Sequence, residues 1–163
     1  MQSEYKAAGV LPLAWHEGQL WALLGSEPTP QGLRWLAFGG KREPQDADAR
    51  TTALREYREE SGGALAEPCL LPTTFYDWRA KFVLHLGWLD YAAALPSFSD
   101  AQAAAEPTLN KRELQWFPLE ELLRGAQFEP DGAYPIKPWF QSLLQRERYA
   151  IRRAAQDIPI AEQ

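Results

Sequence analysis

Apolar residues in this chain fall in short runs separated by glycine and proline, the rhythm of strands joined by tight connections. Residues 6–15 ("KAAGVLPLAW") and 20–27 ("LWALLGSE") are two such runs, and "HEGQ" between them suits a hairpin turn. They are expected to pair. "EPTPQGLR" (27–34) carries two prolines and a glycine and reads as a loop, while "WLAF" (35–38) reads as a short buried strand ending at Gly39 and Gly40.

The period then changes. From Asp46 or Asp48, either of which can cap a helix N-terminus, Ala49, Ala53, Leu54 and Tyr57 form a helical stripe, and Gly62 stands where a left-handed residue ends a helix. "CLLPTTFYDW" (69–78) and "KFVLHLGWLDY" (81–91) return to strand character, with Arg79 and Ala80 at the turn. The alanine-rich, proline-punctuated stretch 92–107 predicts a loop with one short helical turn. Residues 113–118 predict a strand, 119–125 a short helix stopped by glycine, and 137–155 one longer helix opened by Pro138. Residues 156–163 are expected to fray. Strands on both sides of a central helix, with more helices late in the chain, predict an α/β fold: a mixed sheet between helices in an α/β/α sandwich, built as a single domain over residues 1–155.

Composition agrees with one domain: 163 residues, 45% hydrophobic and 24% charged. A net charge of −5 and a pI near 5.1 give no diffuse positive field for a nucleic-acid backbone or an anionic membrane. Any phosphate must be met locally. No basic segment precedes an apolar stretch at the N-terminus and no apolar run approaches membrane-spanning length, so the chain is expected to be soluble and cytoplasmic. Cys69 is the only cysteine, which rules out an intramolecular disulfide and a thiolate metal cage; between the apolar residues of "PCLLP" it is expected to be buried. His16 and His85 show no metal-ligand spacing, and His85 within "FVLHLGW" reads as a packed strand residue.

The chemistry is concentrated in "REYREE". Stepping about 100° per residue from Ala53 puts Glu59 at about 240°, Glu56 at about 300° and Glu60 at about 340°, one arc beside the apolar stripe. Crowded like charges destabilise a helix, and a divalent cation reverses that sign; an all-oxygen site suits magnesium, manganese or calcium better than zinc or copper. By itself "REYREE" also fits an exposed helix with Arg–Glu pairs, and "GG" a plain turn. Together, with "FGGK" leaving a strand just before the helix, they point to phosphate or ion contact with the backbone.

Gly40 and the run Arg55-Glu56-Tyr57-Arg58-Glu59-Glu60-Ser61-Gly62 make the sequence resemble the Nudix hydrolase family, as do "FGGK" and "ELQWFPLEELL", over roughly residues 8–125. Two positions depart from the family signature. Its first acid is Asp46, with eight residues instead of seven between it and Arg55, and Asp48 as the other possibility; its last apolar position is Gly63. The resemblance implies an α/β/α sandwich that hydrolyses a nucleoside diphosphate linked to another group, by water attack on phosphorus. It also implies Mg2+ or Mn2+ held by Glu56, Glu59, Glu60 and the Gly40 carbonyl, with Arg55 orienting the acids. By the same resemblance the base that activates water is a box glutamate or an acid from a later loop, with Glu56, Glu59, Glu106 and Glu113 as the candidates.

Lys41, Arg42, Arg79 and Lys81 are candidates to clamp phosphates, and Trp78 with Tyr76 to stack on a base; Trp35, Trp88 and Trp116 are expected in the core. The expected partner is a small nucleoside diphosphate derivative, with no membrane and no nucleic acid except a capped RNA end. Nucleotide sugars, ADP-ribose-like compounds and nucleoside triphosphates stay open, while inositol pyrophosphates want a more basic pocket. Two other classes compete. One is a non-catalytic Nudix-fold module that binds a nucleotide or a protein, supported by the irregular spacing and Gly63; the other is a structural or calcium-binding acidic helix, which lacks EF-hand loop ligands. The aromatic-rich strands and C-terminal helix suit either a homodimer surface or the core.

Overall fold

The computed structural model describes residues 4–125 and 134–160. β1 (Ala7–His16) and β2 (Gln19–Thr29) form an antiparallel hairpin, with Leu13 opposite Ala22 and His16 opposite Gln19. On its other edge β1 runs parallel to β6 (Phe82–Trp88), which pairs antiparallel with β5 (Cys69–Asp77). The sheet is therefore mixed.

Beyond the Leu13–Ala22 pair, β1 and β2 part company. β3 (Gly32–Leu36) takes the freed edge of β2, and β4 (Phe38–Lys41) takes the freed edge of β1, with Gly40 opposite Ala8. β7 (Leu114–Pro118) lies on the far edge of β2, since Gly25 pairs with both Leu36 and Leu114. This fork sets the Gly39–Gly40 backbone against the first half of β1, under the helix that follows.

α1 (Ala49–Glu60) packs on β1 and β4. It buries Ala53 with Ala8 and Val83, and Tyr57 with Val10 and Phe38. The opposite face of the sheet carries the larger core, where Leu11, Leu13, Leu84 and Leu86 meet α3 (Leu119–Arg124), α4 (Pro138–Arg146) and α5 (Arg148–Ala155). These layers make an α/β/α sandwich. α2 (Asp100–Ala105) is the short helical turn expected in the alanine-rich stretch, started by a Ser99–Gln102 capping box.

Three expectations need correction. Residues 27–34 are not a loop: β2 continues to Thr29, and β3 restarts at Gly32. Proline is tolerated there because Pro28 lies at the distal end of β2, opposite Leu33 and past the reach of β7. The single C-terminal helix is two, broken at Glu147 (φ −101, ψ 12). Its buried positions Phe140, Leu143, Leu144, Ile151 and Ala154 keep helical spacing across the break, so the pattern hides it, and the Arg148 guanidinium takes the Gln145 carbonyl at 2.7 Å. Cys69 is exposed, because it opens an edge strand.

Trp35 and Trp116 are buried, Trp88 is half-buried and His85 is packed in β6. Of residues 156–163, Ile158 is buried in the main core and its carbonyl accepts from Trp15 Nε1 at 3.4 Å, whereas 161–163 lie outside the described residues. Among the described residues no helix is long and apolar enough to cross a membrane.

Candidate active site

The approach to α1 divides labour between two aspartates. Asp48 is the N-cap, accepting from Thr51 N at 2.8 Å and Thr51 Oγ1 at 2.7 Å. Asp46 is buried and turns to Arg55, accepting from Nη2 at 2.8 Å and Nε at 3.2 Å, and also from Glu43 N at 2.9 Å and the Thr52 hydroxyl at 2.8 Å. The Arg55 hydrogen bonds, opposed by burial, hold the Asp46 carboxyl well below the usual carboxylate range. Asp46 is thus the acid paired with the arginine, and the extra residue before Arg55 is absorbed ahead of the helix.

Arg55 is the hub. Its Nη2 donates to the Lys41 carbonyl at 2.9 Å, while Nη1 lies 3.1 Å from Glu56 Oε1, 3.3 Å from Glu59 Oε2 and 3.4 Å from Glu43 Oε1. Chiefly through the Asp46 bonds, its own pKa rises above the ordinary arginine value. Glu56 is buried beneath Gly40, where a Cβ would run into its carboxylate and push it aside, so glycine lets backbone and carboxylate come this close. Burial raises the Glu56 pKa, against the pull of Arg55.

Glu60 is fully buried: Oε1 accepts from Gly39 N at 2.6 Å, and Oε2 has no hydrogen-bond partner. Burial, opposed by the charge of Lys111, pushes its pKa up to about 8. The inward face of α1 is Ala49, Thr52, Ala53, Glu56, Tyr57 and Glu60, with Leu54 only half-buried. The apolar stripe expected from sequence is therefore rotated, and two of the three acids lie within the packed face instead of beside it. Gly62 and Gly63 follow at φ 64 and 71, a region that an apolar side chain at position 63 would enter only with strain.

The three glutamates do not converge on one point. Glu56 and Glu59 share the Arg55 guanidinium, Glu60 is turned to Gly39, and no three acidic, histidine or cysteine groups among the described residues stand ready to hold an ion. Their chemistry still fits a hard cation. Glu43, Asp46, Glu56 and Glu59 set four carboxylates against one guanidinium, and Glu60 Oε2 is an orphaned buried oxygen.

Two cavities flank the cluster. One, of about 470 Å³, is lined by Arg58, Glu59, Gly62, Phe98 and Glu106, so Glu106 shares a space with Glu59. Glu113 stands apart: it is exposed, bridged to Ser97 and tied through its backbone to Ser26. The other cavity, of about 310 Å³, is lined by Gly39, Gly40, Lys41, Glu27, Lys137 and Trp139, among others. Arg42 lies over the Tyr5 ring at 4.5 Å. Trp78, set edge-on to Tyr76 with centroids 5.0 Å apart, is exposed with Arg79 at the β5–β6 turn, and neither lines these cavities.

Sequence reasoning missed Glu27, Lys111, Lys137 and Trp139. Lys111 is fully buried, donating to the Ala37 carbonyl at 3.0 Å and lying 3.3 Å from Glu27 Oε2. "TLNKREL" reads as a polar surface segment, so no sequence signal marks that lysine as buried.

The model of the NUDIX domain matches residues 5–140. No curated protein matches the chain. Among solved structures, an Ap4A hydrolase of C. elegans in a binary complex is 19% identical, with 91% of this chain and 99% of that one covered and a TM-score of 0.57. The MutT protein of Methanosarcina mazei is 17% identical over 91% and 96%, TM-score 0.55. The NUDIX domain of Shewanella oneidensis NrtR, solved with ADP ribose, is 17% identical over 93% and 90%, TM-score 0.54. At such identities the likeness is one of fold, but the family model spans most of the chain and the Arg55 hub is built from the box residues themselves, so the chain belongs to the Nudix family.

Proposed function

We propose that this protein hydrolyses the phosphoanhydride bond of a nucleoside diphosphate linked to another group, with Mg2+ or Mn2+ bound between the Gly40 backbone and the C-terminal half of α1. The observation that carries the reading is the excess of carboxylate around Arg55, pressed against the bare backbone of Gly40 and opening on cavities at both sides. Glu56, Glu59, Glu60 and the Gly40 carbonyl are the groups to hold the ions, once Glu60 turns from Gly39. Bound there, divalent ions supply charge neutralisation on the phosphoryl oxygens and a more acidic water.

The chain's own residues do the rest. Arg55 positions Glu56 and Glu59, and Asp46 fixes Arg55 in turn. Glu59 or Glu106, which share a cavity, takes the proton of the attacking water. Lys41 lines the cavity beside Gly40, where it would meet a phosphate. The Ap4A hydrolase and the ADP-ribose complex among the structural relatives support a nucleotide-bearing substrate.

The test is a panel of diphosphate compounds, including nucleotide sugars, ADP-ribose-like compounds, dinucleoside polyphosphates, nucleoside triphosphates and capped RNA, run with each metal and with product identification. Cleavage between phosphates that stops when the metal is chelated is expected. One observation favours a second reading, binding without turnover: Arg55 stands between Glu56 and Glu59, where a cation would otherwise bridge them. Tight binding of a panel member with no product from any would select that reading.

A further inference from the structure

The cavity of about 310 Å³ beside Gly40 is unlike the carboxylate cluster it adjoins, being an apolar slot with one charged rim. Trp139 and Phe82 line it with ring centroids 4.9 Å apart, and Leu36, Ala37 and Ala80 add apolar wall. On the rim stands Glu27, its side chain 17% exposed, held by two ammonium groups: Lys111 Nζ lies 3.3 Å from Oε2 and Lys137 Nζ lies 3.5 Å from Oε1.

The rim is rigid. Lys111 is wholly buried and also held by the Ala37 carbonyl, while Lys137 belongs to a stretch bonded to β3, with Trp35 N to Pro135 O at 2.8 Å and Lys137 N to Trp35 O at 3.0 Å. A carboxylate held by a buried Lys111 outside the cavity lining and by Lys137 on the rim keeps spare lone pairs on both oxygens and offers no donor. Beside an aromatic wall it suits a planar ring whose edge presents adjacent N–H groups.

On the reading of this site as a nucleoside diphosphate site, we infer that Glu27 is a specificity-determining residue, selecting a nucleobase with adjacent N–H donors, foremost guanine, set against the aromatic wall of Trp139 and Phe82. Guanine offers N1–H and the 2-amino group side by side to one carboxylate. Hypoxanthine has the same shape and lacks the amino group. Two lysines satisfy the charge of Glu27 without competing for the donors, and the slot leads to Gly40 and Lys41, where the diphosphate would begin.

The experiment is calorimetric titration of the intact protein with GDP and IDP in the presence of Mg2+, a readout that needs no turnover. GDP is expected to bind about 10-fold or more tightly than IDP, since a buried acceptor left without its donor is penalised. Glu27→Gln, whose amide accepts from one donor and opposes the other, is expected to bring the two affinities within about 2-fold. Trp139→Ala is expected to weaken both about equally, by roughly 10-fold. Equal GDP and IDP affinity in the wild-type protein overturns the inference even if Glu27→Gln fails to fold, and so does a ratio that survives Glu27→Gln. Preference for GDP without hydrolysis of any panel compound overturns only the catalytic reading; hydrolysis with equal affinities overturns only this one; no binding of either nucleotide overturns both.

Discussion

Replacing Arg55 by Gln tests whether the box is held together by one guanidinium. Asp46 is buried, with its side chain 1% exposed, and Arg55 meets it through Nη2 at 2.8 Å and Nε at 3.2 Å. Exposed ion pairs are worth little, but removing one partner of a buried pair costs about 3–5 kcal/mol, because the remaining charge has lost its compensation. Here Asp46 keeps the Glu43 N–H and the Thr52 hydroxyl, which argues for the lower end, about 3 kcal/mol. At about 2–4 °C per kcal/mol for a chain of this size, the melting temperature should fall by about 10 °C. Urea midpoints for the wild type, Arg55→Gln, Asp46→Asn and the double variant form a cycle, and a coupling of at least about 1.5 kcal/mol is expected. The sign with pH is fixed too. The Asp46 pKa is depressed on folding, so its contribution is present at neutral pH and fades as pH falls below the ordinary aspartate range. A loss under about 1 kcal/mol, or additive single variants, would refute the picture of Arg55 as the hub and return it to an ordinary surface charge.

Glu59→Gln should lower metal-dependent hydrolysis by roughly 10²–10⁴-fold with an unchanged unfolding midpoint, and a variant that keeps the full rate removes Glu59 from the machinery. Glu60 has a pKa raised on folding to about 8, so its contribution is complete below the ordinary glutamate range and is lost as pH rises towards 8. Metal-free protein should therefore have a lower urea midpoint at pH 9 than at pH 6, with the difference reduced in Glu60→Gln and by added Mg2+; equal slopes for the two proteins would refute this. Gly62→Ala places a Cβ at φ 64 and 3.0 Å from Phe98 Cε1, so a loss of about 1–2 kcal/mol in chemical denaturation is expected, and an unchanged midpoint would show that the α1 C-terminus relaxes freely.

Local patterns fixed much of this molecule in advance. Strand periodicity in β1, β5 and β6, an aspartate cap at Asp46 or Asp48, the stop at Gly62 and the Arg-Glu run of α1 are short-range features, and each is legible because neighbours along the chain decide it. What the sequence hid is long-range or a matter of how an element is turned against its neighbours. A shift of the buried face of α1 put Glu56 and Glu60 inside and Leu54 partly outside, and nothing in a helical wheel sets that rotation before the sheet is present. The break at Glu147 keeps the apolar spacing, so periodicity passes through it unmarked.

By itself, then, the sequence determined most of the elements, the family box and the acids available for chemistry. Only the tertiary structure decided which acids face which partners: Asp46 with Arg55, Glu60 with Gly39, and Glu27 with lysines 84 and 110 residues away along the chain. The reason is physical. A carboxylate's protonation and orientation depend on burial and on charges within a few ångströms, and those are set where the β1–β2 fork, β4 and the segments after α2 and before α4 come together.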